Sequence, residues 1–244
     1  MEDAIKTISD TSLIKIELVD NYMLTLIIGE AALETIPKIL FKHPSVAKPM
    51  KLKNRYPDNI LLDRSFHHFA MNVLSDAHKR GRPDLVHFSL LEATSTPLYL
   101  NNKLNIHVHT VVNKVITLGT LVRPPRSYFR FARLIEKLFN DGEIIGNDAT
   151  LLKLNESPLT QLIDNLNTNK TIGLSRLGKK STPQDVAKKL AENESSTLVV
   201  GGFPKGNFSK EIPSHFDELL SIHDMPLDAN VVISRVLYEF EKLI

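Results

Sequence analysis

Arg126, Arg130, Arg133 and Lys137 recur at steps of three and four residues, the spacing that lines side chains along one helix face. Tyr128, Phe131, Ala132, Ile135, Leu138 and Phe139 take the opposite face, so the segment carries its own core-facing stripe. Such a helix buries an aromatic back and holds guanidinium groups up to solvent. Pro124 and Pro125 set its start, because proline suits a first turn and breaks a later one. Arg126, and Arg123 just before the helix, then stand at the positive end of the macrodipole with no acid nearby to offset them. Phosphates would relieve that repulsion and pair with the guanidinium forks, so a polyanion is the chemistry this row invites. A solvated charged face on an ordinary amphipathic helix is the competing reading.

Upstream, Lys79-Arg-Gly-Arg-Pro-Asp84 sets Arg82 beside Asp84. The two form either a structural ion pair or a device in which Arg82 holds a phosphate or base while Asp84 orients it or accepts a ring N–H. Val200-Gly-Gly-Phe-Pro-Lys-Gly206 follows an apolar run, and its glycines let backbone N–H groups and a ligand come close. A plain turn explains it equally, and it matches neither the phosphate-loop nor the dinucleotide fingerprint. Ile222-His-Asp-Met-Pro-Leu-Asp-Ala229 reads as a second passage from strand to helix, at the sheet edge where α/β proteins bind ligands. A helix-entry proline is its bland alternative. His67 and His68 diverge by roughly 100° on a helix, and His107 and His109 lack a third ligand, so no metal site is expected. No Gly-x-Ser-x-Gly elbow points to a serine hydrolase.

These residues need elements to hold them. Residues 24–29 read as a buried strand, 30–40 as a helix, and 42–60 as a mobile basic loop with Lys42, Lys48, Lys51, Lys53 and Arg55. Asp63 precedes an expected helix over 65–79, closed by Gly81, and 85–91 reads as a strand. Residues 106–111 and 115–118 form an expected hairpin turning at Asn113-Lys114, within an insertion spanning 100–125. Beyond it, helices near 159–166 and 183–191 alternate with strands at 171–175 and 197–201. An apolar segment at 219–223 leads to a last helix over 227–243, with Val232, Val236, Phe240 and Leu243 on one stripe. That alternation predicts an α/β fold, a mostly parallel sheet with helices on both faces. At 244 residues, 42% of them hydrophobic, the chain can bury a full core as one domain. The net charge of +2 requires any nucleic-acid contact to come from local patches. There is no cysteine, hence no disulfide or thiolate chemistry. The start of the chain lacks a secretory pattern and no stretch approaches the roughly 20 apolar residues of a membrane helix, so a soluble intracellular protein is expected.

In order along the chain come Leu61-Leu-Asp63 with His67-His68, the 79–84 motif, Val108-His-Thr110, Arg123-x-x-Arg126-x-x-x-Arg130-Phe131, the 201–206 motif and Met225-Pro-Leu227. Together they resemble the ribosome-biogenesis methyltransferases that modify nitrogen 1 of a pseudouridine in small-subunit rRNA. That family belongs to the knotted SPOUT superfamily. The resemblance implies one domain over residues 1–244, a C-terminal trefoil knot, a family-specific β-rich and helical insertion, a homodimer, S-adenosylmethionine as cofactor and no metal. It implies that Leu174, Ser175, Gly201, Gly202, Phe203, Gly206, Ile222, His223, Asp224, Met225, Pro226 and Leu227 surround the cofactor. Arg82, Asp84, Arg123, Arg126 and Arg130 would meet the RNA, with Arg82 and Asp84 also serving catalysis; Asp84, ahead of Asp63, would orient the target base. Arg133 extends the spacing only. Implied partners are small-subunit rRNA, a second copy and small-subunit ribosomal proteins, with no membrane, in an archaeal-type cytoplasm or, for a eukaryotic source, a nucleolus. An rRNA-binding assembly factor with vestigial or regulatory cofactor binding is the alternative. A general nucleotide-binding α/β enzyme is disfavoured by the missing fingerprints.

Overall fold

The apolar run near the start becomes strand β1 (Met23–Ala31), buried from Leu24 to its end. A strand covered on both faces must be apolar at consecutive positions, and β1 lies mid-sheet. The computed structural model describes residues 22–53, 56, 59–146 and 149–244. Where a helix was expected over 30–40, β1 instead continues to Ala31 and only a short 3-10 turn follows at Lys38–Leu40. Residues 31–34 are all buried, so this stretch has no solvent face and its apolar spacing does not report a helix. The expected basic loop contains helix α1 (Pro44–Lys53), entered at a proline with Val46 buried; Arg55 lies outside the described residues, as do residues 1–21. Asp63 caps a single turn, α2 (Arg64–His67), through a bond from Ser65 N–H, and the rest of the expected helix breaks into 3-10 turns at Ala70–Val73 and Ala77–Lys79.

The segment expected as a strand at 85–91 is helix α3 (Pro83–Ala93). Pro83, Val86, His87, Ser89, Leu90 and Ala93 are its buried positions, and the helical step of Val86, Leu90 and Ala93 is masked by the neighbouring apolar residues. After α4 (Pro97–Leu100) comes the expected hairpin, β2 (Leu104–Thr110) and β3 (Lys114–Leu118), paired antiparallel. The arginine helix α5 (Tyr128–Asp141) buries Phe131, Ile135 and Leu138, and Gly142 ends it in the left-handed conformation. Its start lies beyond Pro125, so Arg126 precedes the first turn instead of occupying it. β4 (Glu143–Ile145) and β5 (Thr150–Glu156), which no sequence pattern announces, extend the hairpin.

The last third alternates as expected: α6 (Leu159–Leu166), β6 (Lys170–Lys180), α7 (Pro183–Ala191), β7 (Ser195–Gly201), β8 (Glu218–Ser221) and α8 (Ala229–Glu241). The α8 core stripe is Ile233, Val236, Leu237 and Phe240, one step round from the expected one, which leaves Leu243 exposed. One sheet runs β4-β5-β3-β2-β1-β7-β6-β8. Its β2-to-β8 part is parallel, and its β2-to-β4 part is an antiparallel wing. Leu24, Leu26 and Ile28 of β1 face a cluster shared with α3, α5, α7 and α8, whereas Ile27 faces α6 and the 208–216 segment. Both sheet faces are therefore covered. At the far edge, Leu220 of β8 pairs with Leu174 and again with Lys179, so β6 turns back across β8. Gly178 permits this crossing, since a Cβ there would stand 2.5 Å from the Leu220 carbonyl carbon.

Candidate cofactor cavity and nucleic-acid interface

β6, β7 and β8 run parallel, and three segments meet beside them: 174–176, where the pairing of β6 with β8 shifts register, 200–208 at the end of β7 and 221–227 at the end of β8. Carboxyl ends of parallel strands leave a crevice of this kind. The three loops line a cavity of about 360 Å³, within the span of small-molecule sites. Leu174, Ser175, Gly201, Phe203, Gly206, Ile222, His223, Met225, Pro226 and Leu227 all line it, as expected from sequence. Gly202 and Asp224 do not. Gly202 seats the loop on β1: its N–H donates to the Gly29 carbonyl at 2.8 Å, and a Cβ would meet Ala31 Cα at 2.8 Å. Asp224 pairs with Lys180 at 2.8 Å in the open, and that hydrogen bond holds its carboxyl below the usual range. Sequence reasoning missed Val200, Asn207, Phe208, Ala229 and Val232 in the lining. Asn207, 3.5 Å from the Ser175 hydroxyl, adds a polar group that only the folded loop brings in.

At the start of α3, Arg82 Nε and Nη2 donate to the two Asp84 oxygens at 2.8 and 2.7 Å, a bidentate fork. Their side chains are 36% and 34% exposed, so the fork faces solvent. The Asp84 hydrogen bond, then the charges of Asp84, Asp228 and Asp63, raise the Arg82 pKa against the opposing effect of burial. Asp228 follows Leu227 of the cavity wall and occupies the α8 N-cap, which ties the fork to the cavity. Asp63 accepts from Ser65 N–H and from the Tyr128 hydroxyl. Burial and that bond push the Tyr128 hydroxyl upward, so it remains a donor. His87 of α3 stacks on Phe131 at 4.4 Å, and its Nε2 lies 2.7 Å from the Pro125 carbonyl. The back of α5 is thus fastened to α3, and the start of α5 adjoins the Arg82–Asp84 fork.

Arg123, Arg126, Arg130, Arg133 and Lys137 all point to solvent, and among the described residues none makes an ion pair. The first turn of α5 holds no acid. The cationic row therefore carries no acid of its own to offset it. Phe129 stands in this row at 71% exposure. The same helical spacing places it on the arginine face, a signal that sequence reasoning passed over; an open aromatic face can stack on a nucleobase. The histidines have partners other than metal. His67 Nδ1 accepts Asp63 N–H at 3.0 Å, His107 Nδ1 lies 3.0 Å from the Thr117 hydroxyl, and His109 Nδ1 accepts Glu30 N–H at 3.3 Å. Burial lowers the pKa of all three.

Fold and site together define an α/β protein with a small-molecule crevice beside three parallel strands and an exposed cationic helix face. Residues 26–241 match the description of the EMG1/NEP1 methyltransferases, and the chain belongs to that family. The ribosomal RNA small subunit methyltransferase Nep1 of Thermococcus onnurineus is 37% identical over 219 residues, covering 90% of this chain and 98% of that protein. Its counterpart in Staphylothermus marinus is 38% identical over 221 residues, 90% of this chain and 96% of that one. The crystal structure of Archaeoglobus fulgidus Nep1 bound to S-adenosylhomocysteine superposes with a TM-score of 0.79 at 30% identity, covering 91% of this chain and 98% of that one.

Proposed function

We propose that this protein is an S-adenosylmethionine-dependent methyltransferase acting on nitrogen 1 of a pseudouridine in small-subunit rRNA. The observation that carries the reading is the bidentate Arg82–Asp84 fork, on which the charges of Asp228, next to the cavity-wall residue Leu227, and of Asp63, bound by Tyr128 of the arginine helix, both act. Family membership, the names of the relatives and the ligand of the Archaeoglobus fulgidus structure support it. The cavity fits the cofactor in kind: Leu174, Phe203, Phe208, Leu227 and Val232 offer apolar walls for a purine, and Ser175, Asn207 and loop backbone offer polar groups for ribose and amino acid. When bound, the cofactor supplies an electrophilic methyl group on a sulfonium.

Pseudouridine is joined to ribose through carbon and so keeps a ring N1–H that uridine lacks. Asp84, fixed by Arg82, accepts that N–H and orients the ring. As N1 bonds to the transferred methyl, its proton passes to the Asp84 carboxylate, and Arg82 and the other guanidinium groups offset the negative charge that builds on the ring. Arg123, Arg126 and Arg130 hold phosphates around a nucleotide drawn out of its stack. Much of the rate then comes from holding nitrogen and methyl in line. The turn of β6 across β8 supports a trefoil knot, and the antiparallel wing supports a family insertion in a single domain. Exposed Leu177, Met225 and Tyr238 give apolar surface for a second copy. Archaeal relatives support an archaeal-type cytoplasm.

The test is transfer of labelled methyl from the cofactor to an rRNA hairpin containing pseudouridine, beside the same hairpin with uridine. Label on the pseudouridine hairpin alone is expected. Equal labelling would overturn the specificity, and tight binding without turnover would favour an assembly factor.

A further inference from the structure

Glu30 joins the two halves of the site, and nothing in the chemistry above employs it. It ends the regular part of β1 in the left-handed conformation (φ 47°), where the register with β2 shifts. Its Oε1 and Oε2 accept Ser209 N–H at 3.2 and 3.1 Å, and Oε1 also accepts the Ser209 hydroxyl. Oε2 accepts from Lys79 Nζ at 3.1 Å. Lys79 Nζ lies 4.7 Å from the centre of the Phe203 ring. A Cβ on Gly206 (φ 99°) would meet Lys79 Cε and His78 Nε2 at 3.3 Å, so the loop rests directly on residues 78–79. Phe203 and Gly206 line the cavity. The Lys79 and Glu30 side chains are only 14% and 11% exposed, a setting in which losing one partner strands the other.

From Lys79 the chain reaches the fork with little slack. Arg80 donates to both Glu34 oxygens at 2.7 and 2.5 Å, and Arg82 N–H donates to the Ala32 carbonyl at 3.1 Å. We propose that Glu30 and Lys79 are positioning residues that couple the two ligands of the site. A cofactor held by the 203–209 loop fixes Ser209 and Phe203, these fix Glu30 and Lys79, and Lys79 sets Arg82 and Asp84 for RNA. The coupling runs equally in both directions, as linkage requires. This rests on the assignment of cavity and cationic face to cofactor and RNA made above.

The experiment uses the full chain, S-adenosylhomocysteine (which has no methyl to transfer) and the pseudouridine hairpin. Each ligand's Kd is measured with and without saturating amounts of the other. In the wild type, each ligand tightens the other by about fivefold or more. Lys79→Met keeps the hydrocarbon stem and removes the ammonium; it still binds each ligand alone, but the coupling falls to about twofold or less. Lys79→Arg restores it. Ser209→Ala, which keeps the Glu30–Lys79 pair, weakens the coupling from the other side and decides the matter if Lys79→Met does not fold. A merely structural Lys79 would change both affinities and leave their ratio alone. Wild-type binding of both ligands without coupling, or wild-type coupling in folded Lys79→Met or in Ser209→Ala, overturns the inference alone. Failure of the wild type to bind S-adenosylhomocysteine overturns the cavity assignment as well.

Discussion

The Arg82–Asp84 fork separates catalysis from stability at the level of single residues. A paired group one-third exposed gains little from its partner in the folded state, about 0–1 kcal/mol. On the proposed reading the same fork contributes orientation and charge to a ring N–H, a task Asp63 does not share because it is spent on Ser65 N–H and the Tyr128 hydroxyl. Asp84→Asn should therefore lower methyl transfer to the pseudouridine hairpin by about 100-fold or more. Its melting temperature should stay close to wild type and its S-adenosylhomocysteine affinity within about twofold. Single-turnover rates beside an isothermal titration check both halves. A rate near wild type would remove Asp84 from the chemistry, and a large drop in cofactor affinity would make it part of the cavity instead. Arg82→Lys should not rescue the rate, because an ammonium cannot reproduce the two parallel N–H bonds.

At the scale of elements, α5 works as a plate with two independent faces. Phe131, Ile135 and Leu138 pack inward, and Tyr128 and Glu136 grip the 61–63 segment, with Glu136 accepting Leu61 N–H at 3.3 Å. The outer face carries Arg130 and Arg133, with Arg126 just ahead, and none of them supports the fold. Arg126→Ala and Arg130→Ala should each weaken hairpin binding and reduce the salt slope by about 0.7–0.9 for every phosphate left without its cation. Stability should move by less than about 0.5 kcal/mol. RNA affinity unchanged in both variants would return the row to a solvated face. This division of faces was legible in the sequence because helical spacing reports burial whenever one side is wet. The same rule explains what was not legible. α3 is wedged between the sheet and α8 while Phe88 stays on its outer side, so residues 85–91 show apolar groups on every face and mimic a strand. β5 lies between β3 and the short β4 with polar residues at Lys153, Asn155 and Glu156, too little apolar alternation to announce itself. Of the candidate site, the pairing of Arg82 with Asp84 was legible because a guanidinium two residues from a carboxylate can close on it. That Gly202 and Asp224 stand outside the cavity lining was not, because which way a loop residue points is decided by packing on β1 and by Lys180.

Across the whole molecule, buried imidazoles tie the site's scaffold to pH. His67 and His109 accept backbone N–H bonds from Asp63 and Glu30, and His107 shares β2 with His109. Burial is the largest influence on all three and lowers each below the ordinary value of 6.5, outweighing the nearby charges of Asp63 and Glu30. The folded chain consequently stays neutral at these positions where the unfolded chain takes up protons. Since the unfolded state binds more protons, stability rises with pH through this range. It should be flat above about pH 7.5 and should fall as pH drops through 6.5 toward the lowered folded values. Protonation would also turn the His67 and His109 acceptors into donors facing N–H groups, so the loss concentrates where Asp63 and Glu30 are held. Urea midpoints at intervals between about pH 7.5 and 5.5 measure the slope before ordinary carboxylates begin to titrate. His107→Gln, which keeps a polar partner for Thr117, should make the slope shallower without abolishing it, since His67 and His109 remain. A wild-type midpoint that does not move over this interval would mean that the three rings are protonated as readily in the fold as out of it.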